Sequence, residues 1–170
     1  KDPSNAEVIY EWTIANPDLH QGSGALDCKY FKYDGRYYYV QSFQFGQGGP
    51  DSDLGAIVFD VTSLPDTAGI EEVGRIQGPE TEGGFHNIFM YKHSDGRPLL
   101  FATAGDSAHV YDMSRVIEGQ DGLVTKITTP QWAREEYGRG GYHDFYVGFH
   151  PETQPDRFYG AGAGGNFVYD

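Results

Sequence analysis

Phe85-His86-Asn87-Ile88-Phe89-Met90-Tyr91 and Tyr142-His143-Asp144-Phe145-Tyr146-Val147 open on one pattern: an aromatic residue, a histidine, Asn or Asp, then a strand-forming run. Asp27-Cys28-Lys29-Tyr30-Phe31-Lys32-Tyr33 aligns with them, with cysteine at the histidine position. Cys28 to His86 is 58 positions and His86 to His143 is 57. A second landmark recurs in the same order: Ile57-Val58-Phe59-Asp60, His109-Val110-Tyr111-Asp112 and Phe167-Val168-Tyr169-Asp170. A repeat of this length is the first thing to weigh, because missing one misreads the whole fold.

Between the landmarks lie β-prone runs at 37–45, 98–104 and 157–162, and after the second landmark further runs at 72–76 and 123–127. Glu7 to Ile14 reads as the same last strand of a preceding unit. Turn signals separate the runs. Asp34-Gly35 suits a two-residue hairpin, since both residues tolerate positive φ. Only short helical turns are expected, at 113–118 and at 131–137 before Gly138.

The expected fold class is therefore all-β, built of β-propeller blades of four antiparallel strands, with units longer than the roughly 40–45 residues of WD repeats. The expected units are 1–25 (outer strand and linker of a preceding blade), 26–82, 83–139 and an incomplete 140–170, twelve strands in all. Closed propellers have about four to eight blades. The expectation is accordingly a partial propeller, belonging to a larger ring or completed by a second copy.

Composition supports short strands and tight turns. The 170 residues include 24 Gly, 9 Pro, 13 Tyr and 11 Phe, and aromatics favour strands. Twelve basic residues against 25 acidic ones give a net charge of -13. That balance argues against nucleic acid, whose phosphates demand a basic surface, and against anionic lipid. No apolar stretch approaches the roughly 20 residues of a membrane helix. A single cysteine excludes an intrachain disulfide.

His86-Asn87-Ile88, His143-Asp144-Phe145, Ala56-Ile57-Val58-Phe59-Asp60-Val61 and Gly165-Asn166-Phe167-Val168-Tyr169-Asp170 together resemble the bacterial LVIVD-repeat β-propellers. The resemblance covers nearly the whole chain and implies a periplasmic, cell-surface or otherwise extracellular protein. Any membrane association would come through a partner or a segment absent from this chain. Cys28 departs from the pattern.

Several residues are candidates for chemistry or binding. His86 and His143, with Cys28 as the third equivalent, are channel or metal candidates, because imidazole and thiolate suit transition metals. The simpler role for the histidines is to hydrogen-bond a neighbouring unit, and for Cys28 it is buried packing. His143, Asp144 and His150 do not form an acid–base set, since adjacent strand residues face opposite ways. Asp51 and Asp53 are calcium candidates in a loop lacking the EF-hand spacing. Asp60, Asp112 and Asp170 close turns. The glycine-rich runs 46–50 and 160–165 lack the Lys-Ser/Thr of a phosphate loop. Tyr37, Tyr39, Phe43 and Phe45 are surface-binding candidates, as aromatics with polar handles recur in recognition surfaces.

The functional expectation is a noncatalytic, exported propeller that binds or scaffolds a protein partner within a larger assembly. The alternatives are a metal-dependent enzyme with channel-facing groups, or a carbohydrate-binding module recognising glycan through aromatics. No cofactor is expected in the leading reading; Ca²⁺ or a transition metal belongs to the alternatives.

Overall fold

The computed structural model describes residues 3–15, 24–45, 51–138, 140–162 and 164–170. The glycine-rich run at 46–50 lies outside them, as does position 163 of the second run. The chain is all-β, as its composition requires. Sheet 1 contains β1 (Gly24–Tyr33), β2 (Arg36–Gln44), β3 (Leu54–Asp60) and β4 (Glu71–Gln77). Sheet 2 contains β5 (Ile88–Lys92), β6 (Pro98–Ala104), β7 (Ser107–Asp112) and β8 (Leu123–Thr128). Sheet 3 contains β9 (Asp144–Phe149), β10 (Asp156–Gly162) and β11 (Gly165–Tyr169). Each is an antiparallel meander whose sequential strands are neighbours. The β1–β2 turn is carried by Asp34 at φ 45° and Gly35 at φ 76°, the positive-φ pair a type I′ hairpin needs.

Two short helices interrupt the meanders, α1 (Met113–Ile117) and α2 (Gln131–Tyr137). The Asp112 side chain caps α1 by accepting from Ser114 N at 3.0 Å. Asp60 accepts from Thr62 N at 2.8 Å in the corresponding turn of sheet 1. These aspartates are buried at strand ends and satisfy backbone donors there, the expected turn role.

Sheets 1 and 2 share one core, in which Val40 and Val58 meet Ile88, Leu100 and Tyr111. Phe85, just ahead of β5, is fully buried there. Sheets 2 and 3 share another, where Leu99, Phe101 and Val110 meet Phe145, Val147 and Phe158. Every residue of β6 and β7 is buried. Sheet 2 is covered on both faces, which removes the polar alternation of a half-exposed strand.

The propeller expectation fails here. The strands form three separate, unclosed antiparallel sheets of four, four and three strands, not blades set radially in a ring. Repetition in sequence specifies local pairing, but a ring also requires its first and last sheets to meet. The outward face of sheet 3 instead leaves Tyr146 and Val168 about 60 % exposed. Without a ring there is no central channel. Glu7–Ile14, expected as a strand, has no strand pairing. Its Trp12 and Ile14 lie against the outer core of sheet 1 instead.

Candidate aromatic cleft

Strand alternation sends Phe31, Tyr38, Val40 and Val58 to the sheet 2 side of sheet 1, and Tyr39, Phe43, Ile57 and Phe59 to the other side. The segment 10–14 crosses that second face without pairing to it, and a cleft of about 520 Å³ remains between the two. Tyr10, Trp12, Tyr39, Phe43, Phe45 and Phe59 supply its ring walls, with Gln41 between them. The Trp12 ring lies 5.6 Å from Phe43 and 6.0 Å from Phe59, and Tyr10 meets Phe59 edge-on at 6.2 Å. Phe43 and Phe45 stack at 6.1 Å. These separations are those of favourable aromatic pairs.

Two polar side chains of the cleft, Tyr39 and Gln41, are bonded within the protein. Tyr39 donates its hydroxyl to Gln41 Oε1 at 2.7 Å. Gln41 Nε2 donates to Asp27 O at 3.0 Å and to Ser42 O at 2.9 Å. Burial, reinforced by the neighbouring Cys28 thiol and the Asp27 charge, pushes Tyr39 up to about 12. Its hydroxyl therefore stays a neutral donor across the physiological range.

Of the four aromatic candidates, the fold gathers Tyr39, Phe43 and Phe45 in this cleft. Phe43 and Phe45 are buried walls, not exposed surface groups. Tyr37 lies apart, stacked on Tyr30 at 5.7 Å with Lys32 Nζ over its ring. Sequence reasoning missed Tyr10, Trp12, Gln41 and Phe59. The one usable signal is the alternation Val8, Tyr10, Trp12, Ile14, which lies in the segment expected as a strand.

His86 and His143 come together, edge to face at 4.8 Å. Each precedes the first strand of its sheet, and Asn87 Nδ2 donates to His143 O at 2.6 Å, tying sheet 2 to sheet 3. Cys28 does not join them as a metal centre: it sits inside β1 opposite Gln41 and is exposed, not buried. Asp53 Oδ1 accepts from Gln77 Nε2 at 2.9 Å, and Asp51 O accepts from Leu54 N in the turn before β3. No group of three or more His, Cys, Asp or Glu suited to a metal ion exists among the described residues. That finding removes the support for a metal-dependent enzyme, as the missing ring removes it for a propeller scaffold.

Among the described residues no helix is long and apolar enough to cross a membrane. Comparison with protein-family models, curated proteins and solved structures finds no match to this chain, so nothing supports membership of the LVIVD-repeat family.

Proposed function

We propose that the chain is a binding protein for a small, uncharged, largely aromatic molecule held in the cleft between residues 10–14 and the outer face of sheet 1. The observation that carries this reading is a concave space of about 520 Å³ walled by rings, in which the Gln41 side-chain amide is bonded within the protein. Pockets for small molecules are typically of this size and mostly apolar, with few polar groups. A ligand here gains by burying apolar surface and stacking on rings. The internal bonds of Tyr39 and Gln41 favour a ligand with few polar groups of its own.

The test is titration with N-phenyl-1-naphthylamine, a neutral aromatic probe whose emission rises in apolar surroundings. The expected result is one saturable site, with excitation transfer from Trp12, and about tenfold weaker binding in Trp12→Ala, the equivalent of roughly 1.4 kcal/mol. Absence of saturable binding, or an unchanged affinity in Trp12→Ala, would sink the proposal. Concentration-dependent dimerisation abolished by Trp12→Ala would assign the cleft to a second copy of the chain instead.

A further inference from the structure

A second recess, of about 460 Å³, lies where sheets 2 and 3 begin. It is lined by Gln44, His86, Thr103, Tyr142 and His143 and by several glycines. The glycines let backbone segments cross at close range: a Cβ on Gly162 would sit 2.4 Å from Gly141 O. The two imidazoles stand among the polar residues of this recess. His86 Nδ1 lies 2.9 Å from Gln44 Oε1; with the proton on Nδ1, that bond directs Nε2 away from the amide.

We infer that this recess binds a small oxyanion that accepts from ring N–H groups of both His86 and His143. The chain carries 25 acidic residues, yet among the described residues none that lines the recess is one of them. Among the described residues, the charged and titratable groups flanking the recess have partners of their own. Asp27, from β1, holds Lys29 and Ile88 N. Asp106, after β6, pairs with Arg134 of α2. Asp144, in β9, accepts from Phe145 N at 2.8 Å. Tyr142, which lines the recess, donates its hydroxyl to Tyr169, and burial followed by that bond raises its pKa, so it stays neutral.

Imidazole gains its charge on the acid side of neutrality. Two imidazolium rings at this separation repel each other, and an anion bonded to both relieves the repulsion. Anion uptake and protonation are therefore linked: each favours the other.

The experiment is an NMR titration of the histidine rings from acid to neutral pH in chloride, in inorganic phosphate and in acetate, at equal ionic strength. In phosphate the midpoints of His86 and His143 are expected to rise by at least about 0.3 pH unit over chloride, a twofold effect on the protonation equilibrium. His93 and His150 should not follow. His143→Gln should abolish the rise at His86, with circular dichroism confirming an unchanged fold. A rise in acetate alone would assign a carboxylate to the site in place of a phosphate group. Identical midpoints in all three salts, a uniform shift of every histidine, or a rise at His86 that survives His143→Gln would overturn the inference.

Discussion

The ring of Phe85 occupies the space that a side chain at Gly55 would need: a Cβ there would come within 2.4 Å of Phe85 Cε2. Gly55 lies in β3, and Phe85 is the fully buried residue that leads into sheet 2. The contact fixes how closely the two sheets approach. Phe85→Ala is expected to cost about 3–5 kcal/mol and Gly55→Val about 1–3 kcal/mol. In urea unfolding the double variant should be less damaged than the sum, because the valine enters the space the ring vacates. Strict additivity would show that the two positions do not meet.

Apolar recognition in the cleft separates the ring of Tyr39 from its hydroxyl. Tyr39→Phe should keep probe affinity within about twofold, since the ring remains, while Tyr39→Ala should weaken it about tenfold. Tyr39→Phe should still lower stability by about 1 kcal/mol, because Gln41 Oε1 loses its donor. Large loss of binding in Tyr39→Phe would point to polar recognition instead.

Acid should loosen the join between sheets 2 and 3. Asp156 of β10 accepts from Ser94 Oγ and Tyr91 OH and lies 3.1 Å from His93 Nε2, all three on the opposing hairpin. Burial works to raise its pKa, but the donors Ser94 and Tyr91, with the His93 charge, outweigh burial and hold the carboxyl low. Asp95 is held far below the usual carboxylate range, chiefly by Arg97. A carboxyl whose folded pKa is depressed contributes stability above its unfolded pKa, near 4, and loses it as pH falls through the folded value. Urea midpoints should therefore drop below about pH 4. Asp156→Asn should be about 1 kcal/mol less stable at neutral pH, with a shallower acid loss. Parallel acid profiles for the two proteins would refute the role of Asp156.

His109 sets a second, milder dependence. It is buried in β7, and burial, with the Lys126 charge, lowers its pKa. The unfolded chain takes up this proton first, so stability is full above about pH 6.5 and declines as pH falls from there towards the folded value. The decline between neutral pH and pH 5 should be smaller in His109→Gln. An equal slope in both proteins would show that His109 is not the group responsible.

Exposed Cys28 offers a check on the face of sheet 1. It should react with a thiol reagent in the native protein nearly as fast as in urea, because no burial protects it. Reaction only on unfolding would place it in the core.

The all-β character, the hairpin at Asp34-Gly35 and the short helices at 113–117 and 131–137 were legible from residue type alone, because turns, caps and strand runs are local. The repeat spacing was equally visible, and it misled: similar segments pair alike within their sheets, yet nothing in them states whether successive sheets come round to meet. Glu7–Ile14 has the alternation of a strand, but pairing depends on a neighbouring edge that no local pattern encodes. The encounter of Trp12 with Phe43 and of His86 with His143 joins residues separated by tens of positions, and only sheet-on-sheet packing decides such distances. Sequence alone thus determined what each segment becomes; tertiary structure decided which segments meet, because burial rewards contact without regard to separation along the chain.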